Sequence, residues 1–173
     1  MKLNGKVVVI TGAGNGMGRE MAIEAIARGA TVFGVDISEA NLKGTSELVS
    51  DSSAFSYEVL DITNRELVAK LPAKVIAKFG VVDALINNAG IIQPFVFVAD
   101  LDFEHIDRVM SVNFDGPVNL VKAFLPELKK RAVAHIANVS SMGGYGPVPG
   151  QTIYGASKAA IKLFTEGLRS ELK

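Results

Sequence analysis

Val7-Val8-Val9-Ile10-Thr11-Gly12-Ala13-Gly14-Asn15-Gly16-Met17-Gly18 is the stretch that decides the fold. Val7 to Ile10 is a short, unbroken apolar run, the mark of a parallel strand buried on both faces. From Arg19 to Arg28 the pattern turns helical, with Met21, Ala22, Ala25 and Ile26 on one face and Gly29 as the C-terminal stop. A strand that runs through a glycine loop into a helix N-terminus makes a pyrophosphate site. Backbone N–H groups and the helix dipole face the anion, and the glycines let it come close. The strict Gly-x-Gly-x-x-Gly spacing fails because Met17 holds its third glycine position. The P-loop pattern fails because no Lys-Ser/Thr follows the glycines. What fits is Gly-x-x-x-Gly-x-Gly at Gly12, Gly16 and Gly18, with Asn15 and Met17 between them. The alternative is a glycine turn without a ligand, and four alternating glycines between a strand and a helix argue against it.

The next signal is Asp36. Thr31 to Val35 reads as a second strand, and Asp36 closes it, eighteen residues after Gly18. An acidic residue about 20 residues past the glycines accepts hydrogen bonds from the adenosine ribose hydroxyls, and its charge repels a 2′-phosphate. No Lys or Arg stands in the loop before Arg19 or directly after Asp36. The pattern therefore points to NAD. The competing reading makes Asp36 a turn residue or the N-cap of the helix near Ser38 to Val49.

Strand and helix patterns alternate along the rest of the chain, which predicts βαβ units and a parallel sheet. Expected strands are Ala54 to Leu60, Ala84 to Ile86 and His135 to Val139. A helix from Thr63 to Phe79 stops at Gly80 and is interrupted or kinked at Pro72. Asp100 or Asp102 caps a helix that runs past Asn113, and Pro117 marks a kink or a new first turn. Val121, Phe124 and Leu125 form the apolar face that follows, and Thr152 to Leu172 is the last helix. The expected architecture is an α/β, doubly wound parallel sheet in the order 3-2-1-4-5, one domain over residues 1–173. Ligands of such sheets bind beyond the strand C-termini at the switch point between strands 1 and 4. Asp36, Asp61, Asn88 and Ser141 all follow strand ends, so one crevice is expected to gather them.

Tyr154 and Lys158 supply the chemistry. A spacing of four puts a phenol and an ammonium on one helix face. A free tyrosine titrates near a pKa of about 10. A neighbouring ammonium favours the phenolate and tunes the pair toward working pH. Ser141, thirteen residues upstream, can donate to the oxygen that exchanges the proton. Alone, the pair is equally at home on an ordinary amphipathic helix.

Together these segments resemble the short-chain dehydrogenase/reductase family. The matching pieces are Thr11-Gly-x-x-x-Gly-x-Gly18, Asp61, Asn87-Asn88-Ala89-Gly90, Asn113, Asn138-Val139-Ser140-Ser141 and Tyr154-x-x-x-Lys158. They occur in family order over nearly the whole chain. The resemblance implies an NAD-dependent exchange of an alcohol and a carbonyl, with Tyr154 as acid/base and Lys158 lowering its pKa and holding the nicotinamide ribose. Ser141, rather than Ser140, orients the substrate oxygen, and Asn113 serves a water relay. Asn113 also has a local reading, a side chain bonding a carbonyl at a kink near Pro117. The resemblance further implies that Asp61 and Ile62 meet the adenine and that Asn88 and Gly90 run along the nicotinamide ribose, while Asn87 ties strands. Asp61 has a competing use as cap of the helix after Asn64. The family pattern continues past Lys173 with further strands and a substrate lid. A truncated chain with an open edge at strand 5 is therefore expected, and a cofactor-binding module without turnover is the alternative function.

Composition narrows the rest. Eighteen basic residues balance eighteen acidic ones, which gives no field for nucleic acid or an anionic membrane. Without cysteine there is no disulfide, thiol nucleophile or cysteine-ligated metal. His105 and His135 stand too far apart to suggest a metal site. No apolar run reaches about 18 residues, and no signal peptide is evident, so a cytoplasmic protein is expected. Ile91-Ile92-Gln93-Pro94-Phe95 and Met142-Gly143-Gly144-Tyr145 are either substrate-facing or packing residues. The family resemblance also implies a homodimer or homotetramer joined through helices 117–131 and 152–172, where Phe124, Leu128, Leu163, Phe164 and Leu168 either supply the contact or pack within the chain.

Overall fold

The computed structural model describes residues 2–172. The expectation that the chain ends at Lys173 lies outside them. Cα packing divides the chain into two compact units: residues up to Ala89 with Asn119–Ala137, and Gly90–Val118 with Asn138 onward.

The first unit is built on a five-stranded sheet in the order β3-β2-β1-β4-β5. Its strands are β1 (Val7–Thr11), β2 (Thr31–Asp36), β3 (Phe55–Val59), β4 (Ala84–Asn87) and β5 (His135–Asn138). The pairs β1–β2, β1–β4 and β2–β3 are parallel. This is the expected doubly wound α/β fold. Every residue of β1 is buried, because both faces of the sheet are covered. Register puts Val8 beside Val32 and Ala84, and Val9 beside Phe33 and Leu85. The Val8 face packs on Ala22, Ala25 and Ile26 of α1 (Gly16–Ala27) and Leu42 of α2 (Glu39–Leu48). On the other face Phe33 meets Phe79 of α3 (Arg65–Phe79) edge to face, with ring centroids 6.3 Å apart. Helix α3 passes through Pro72 unbroken and ends at Gly80 in the left-handed conformation. The expected interruption at Pro72 is thus absent, and the proline ring is buried with Val68, Leu71 and Val75. Helix α5 (Gly116–Leu128) buries Leu120, Val121, Phe124 and Leu128.

Asp83, just before β4, was not anticipated. It is almost fully buried and takes the Val7 N–H at 3.0 Å, Arg131 Nε at 3.0 Å and Lys6 Nζ at 3.4 Å. Burial pushes its carboxyl up, but these partners outweigh burial and hold it below the usual carboxylate range. Arg131 therefore anchors the segment between α5 and β5.

In the second unit, α4 (Phe103–Met110) starts at Asp102, whose side chain accepts the His105 N–H; Asp100 is not its cap. A π-helical turn over Ser111–Asp115 then precedes Gly116. The expected disturbance before Pro117 is this turn. Helix α6 (Thr152–Glu171) is the longest element. Phe164 packs edge to face on Phe114, and Leu168 is buried. Phe124, Leu128 and Leu168, weighed as interface residues, are thus core residues of the chain, whereas Leu163 is 69% exposed. Among the described residues no helix is long and apolar enough to cross a membrane, and no cluster of His, Asp or Glu is arranged to hold a metal ion.

Candidate active site

In the first unit the expected cofactor residues converge on the C-terminal ends of β1, β2 and β4. Helix α1 starts earlier than expected, at Gly16, because Asn15 caps it with its side chain on the Gly16 N–H at 2.8 Å. Gly16, Met17 and Gly18 therefore form the first helical turn, where N–H groups have no partner in the helix itself. Gly12 has φ +66°, and a Cβ there would come within 2.9 Å of Asn88 Nδ2. A Cβ on Gly18 would collide with the Gly12 carbonyl oxygen. These two glycines let the loop close on itself. Gly16 differs: its φ is +50°, and a Cβ there would meet no protein atom within 4 Å. Met17 beside it is exposed.

Asp36 faces this loop. Its Oδ2 accepts the Gly14 N–H at 3.0 Å and its Oδ1 the Ser38 N–H at 3.0 Å. Asp36 does make the turn contact weighed against the ribose role, but the cap of α2 is Ser38. An ionised carboxylate has capacity for further donors beyond these two. Arg19, which directly follows the glycine loop, is already engaged. Its Nη2 donates to Gly14 O at 2.6 Å, and its Nε to Gly14 O and Thr45 Oγ1 at 3.1 Å each. Thr45 Oγ1 in turn donates to Ala13 O at 2.9 Å. Arg19 and Thr45 thus set the loop's shape, and neither was singled out from sequence.

Thr11, at the end of β1, is fully buried; its Oγ1 accepts the Asn88 N–H at 3.0 Å and the Ala89 N–H at 3.1 Å. Asn88 Nδ2 returns a bond to Thr11 O at 3.0 Å, which fixes the amide orientation and leaves Asn88 Oδ1 buried without a protein donor. Asp61 Oδ1 accepts both the N–H and the hydroxyl of Thr63, at 2.9 and 2.8 Å. The cap of α3 is Asn64, so Asp61 does not play the capping role weighed for it. Ile62 is buried, and its carbonyl takes Asn119 Nδ2 at 3.4 Å.

The second unit brings Ser141, Tyr154, Lys158 and Asn113 onto one framework around α6. Lys158 is 5% exposed; its Nζ donates to Val139 O at 3.0 Å and stands 5.8 Å from the Tyr154 ring centroid. Burial lowers its pKa from the ordinary lysine value. Ser141 Oγ accepts the Gly143 N–H at 3.2 Å. A Cβ built on Gly143 would lie 3.5 Å from Tyr154 Cε1 and 3.7 Å from Ser141 Oγ, so the phenol ring and the hydroxyl flank one residue. Ser140 Oγ donates to Lys158 O at 2.8 Å and is thereby occupied with the helix backbone. Gly90 is exposed at the start of the unit.

Asn113 is fully buried in the π turn. Its Oδ1 accepts the Ile91 N–H at 2.8 Å, and its Nδ2 donates to Ile91 O at 2.9 Å and Ser157 Oγ at 3.0 Å. The carbonyl it bonds belongs to Ile91, not to its own helix near Pro117. Ser157 Oγ donates to Tyr154 O at 2.7 Å. Gln93, within the apolar run 91–95, is also buried, and its Oε1 accepts the N–H groups of Ile153 and Tyr154, each at 2.9 Å. Tyr154 is therefore gripped at both ends of its main-chain unit by buried side chains. Ile92, Phe95, Met142 and Tyr145, from the two apolar segments 91–95 and 142–145, are exposed, so the packing alternative does not apply to them.

Comparison with known proteins identifies the family. The family model described as short chain dehydrogenase matches residues 6–173. "Probable oxidoreductase EphD" of Mycobacterium tuberculosis is 41% identical over 168 residues, which cover 96% of this chain and 28% of that protein. The 3-oxoacyl-[acyl-carrier-protein] reductase FabG of Thermotoga maritima is 37% identical, over 99% of this chain and 70% of its own length. Among solved structures, NAD+-bound xylitol dehydrogenase superposes with a TM-score of 0.94 at 31% identity, covering 99% of this chain and 66% of that one. A short chain dehydrogenase/reductase from Burkholderia phymatum in complex with NAD gives 0.93 at 32% identity, covering 99% and 61%. The chain spans only part of the length of each.

Proposed function

Because the chain belongs to the short-chain dehydrogenase family, we propose that it is the cofactor-binding and catalytic part of an NAD-dependent oxidoreductase that interconverts an alcohol and a ketone or aldehyde. The observation that carries this reading is the Ser141–Tyr154–Lys158 group, held rigidly around Gly143 and the first turns of α6.

The residues of the first unit fit NAD. Asn88 Oδ1 is a buried acceptor in want of a donor, which a ribose hydroxyl supplies. Beyond Gly16, whose own N–H is taken by the Asn15 cap, the helix turn offers the Met17 and Gly18 N–H groups to the pyrophosphate, with Gly12 closing the loop behind them. Asp36 accepts from the adenosine ribose hydroxyls, and Arg19 is too committed to the loop carbonyls to meet a 2′-phosphate. Asp61 and Ile62 serve the adenine, while Asn88, Gly90, Tyr154 and Lys158 serve the nicotinamide ribose. When bound, NAD supplies the hydride acceptor or donor. The protein's part is proton transfer and polarisation. Ser141 donates to the substrate oxygen. Tyr154 takes the hydroxyl proton during oxidation and returns it during reduction. Lys158 Nζ stands 5.8 Å from the Tyr154 ring centroid, with Val139 O fixing its direction. Asn113 supports the water relay from the π turn.

The test is a screen of secondary alcohols with NAD on the intact polypeptide that carries this chain, beside Tyr154→Phe. NADH formation in the wild type and its loss in the variant are expected; equal turnover by Tyr154→Phe refutes the assignment. NADH binding with no turnover on any alcohol or carbonyl favours the binding-module alternative. The same reading takes the protein as cytoplasmic and self-associating through α5 and α6, with Leu163 as the outward apolar contact. Light scattering of Leu163→Glu tests the association.

A further inference from the structure

We infer that Gln93 is a positioning residue for Tyr154, acting as the N-terminal cap of α6 from 60 residues away in the chain. This rests on the reading of Tyr154 as the acid/base. The reasoning starts from what α6 lacks. Helices α1 to α4 begin at Asn15, Ser38, Asn64 and Asp102, each with a side chain that accepts an N–H of its own first turn. Helix α6 begins after Gln151, whose side chain makes no such bond. The N–H groups of a helix's first turn need an outside acceptor when they are buried. Gln93 Oε1 supplies it for two of them, those of Ile153 and Tyr154, both at 2.9 Å.

The amide is itself held so that its oxygen cannot turn away. Gln93 is 1% exposed, and its Nε2 donates to Gly150 O at 3.1 Å. Its main-chain carbonyl accepts Gln151 Nε2 at 2.9 Å, so Gln93 and Gln151 cross-link their two segments in both directions. Two residues earlier, Ile91 is fixed through both its N–H and its carbonyl by Asn113. The strap 91–93 is therefore anchored at each end, and its only polar side chain is spent on the helix turn that carries Tyr154. Tyr154 is the third residue of α6. It lies where an uncapped helix frays first, and a phenol that must meet a substrate oxygen tolerates little displacement. A misplacement of about 1 Å can lower a rate by roughly 100-fold.

The test separates position from stability with three measurements on the intact polypeptide, with Tyr154→Phe run beside them. Gln93→Met keeps the bulk and removes acceptor and donor. We expect kcat per folded molecule to fall roughly 100-fold, with the NADH dissociation constant unchanged. Gln93→Glu keeps the acceptor at the helix N-terminus, where negative charge is favoured, and turns the bond to Gly150 O into a contact between two acceptors. We expect its Tm to drop as well, yet its kcat to recover to near wild type. Amide exchange of the wild type reports on the cap even if Gln93→Met fails to fold: the Ile153 and Tyr154 N–H groups should be protected. The inference is overturned by full kcat in folded Gln93→Met, by kcat that follows Tm in both variants, or by unprotected amides at Ile153 and Tyr154. Wild-type turnover by Tyr154→Phe would instead overturn the acid/base reading, and the exchange result would still stand or fall separately.

Discussion

Replacing Asp36 with asparagine tests the cofactor preference most directly. The carboxylate lies half-buried at the end of β2 with its two oxygens on the Gly14 and Ser38 N–H groups. A 2′-phosphate brought to the adenosine ribose would face this charge. At about 4 Å, two unit charges repel by about 1 kcal/mol in water and by about 4 kcal/mol at the effective dielectric of a protein surface. Lost hydrogen bonds from the ribose hydroxyl act in the same direction, on a scale of about 1.5–3 kcal/mol for a charged acceptor. With the hydrogen-bond term alone as the floor, the preference for NADH over NADPH is at least about 1.5–3 kcal/mol, roughly 10- to 140-fold in dissociation constant. Asp36→Asn removes the charge, so the gap should shrink to within roughly fivefold, mainly through tighter NADPH. The substitution is not free, since the new amide can accept from only one of the two N–H groups. A loss of about 1–3 kcal/mol in stability is expected, read from a thermal melt. Titration of nicotinamide fluorescence with both cofactors gives the dissociation constants. Wild-type protein that binds NADPH as tightly as NADH would refute the reasoning, as would an unchanged gap in Asp36→Asn.

Further outcomes follow from the same geometry. Tyr154→Phe should lower kcat by roughly 100- to 10,000-fold, the scale of general acid/base catalysis, with little change in NADH affinity by fluorescence. Lys158→Ala should damage both turnover and NADH affinity, because one ammonium serves the phenol and the ribose. Burial lowers the Lys158 pKa, so the unfolded chain binds the extra proton between the folded value and about 10.5; wild-type stability should rise with pH through that alkaline window, and the rise should be missing in Lys158→Met melts. Asp83 is the reverse partner in acid. Its folded pKa is depressed, so its contribution is full above about 4 and disappears as pH falls through the folded value. Asp83→Asn should therefore cost about 3 kcal/mol at neutral pH, the low end for breaking a buried charge pair, and close to nothing in urea melts at low pH.

The fold was legible because its signals are local. The Val7–Ile10 run, the glycine loop and the alternation of strand and helix each lie within a few residues, and together they fix the order 3-2-1-4-5. Where the reading slipped, a nonlocal or competing term decided. The start of α1 at Gly16 reflects the Asn15 cap, which outweighs glycine's poor helix propensity over one turn. Helix α3 tolerates Pro72 because the ring is buried among Val68, Leu71 and Val75, so packing offsets a lost hydrogen bond. The apolar residues of α5 and α6 have the same spacing whether they face a sheet or a second subunit. Spacing alone could not assign Phe124, Leu128 and Leu168 to the core and leave Leu163 outside.

The site divides along the same line. Residues whose chemistry is in their own type and spacing, such as Gly12, Asp36, Ser141, Tyr154 and Lys158, were visible in the sequence. Residues that hold them in place were not, because each acts on a partner far along the chain. Thr11 fixes the Asn88 and Ala89 N–H groups 77 and 78 residues on, Asp83 takes the Val7 N–H, and Gln93 grips a helix turn 60 residues away. A buried glutamine in the run Ile91-Ile92-Gln93-Pro94-Phe95 gives no period and completes no motif. The absence that calls for it shows only in the structure: Thr152 offers a cap in the sequence, but the capping position falls on Gln151, whose side chain makes no capping bond, although the catalytic candidate follows within the helix's first turn. Backbone donors at a partly buried helix start need an acceptor. An uncapped helix that carries a tyrosine acid/base is thus a demand for an acceptor from elsewhere in the chain, and a polar residue lodged in an apolar strap is the kind of group that answers it.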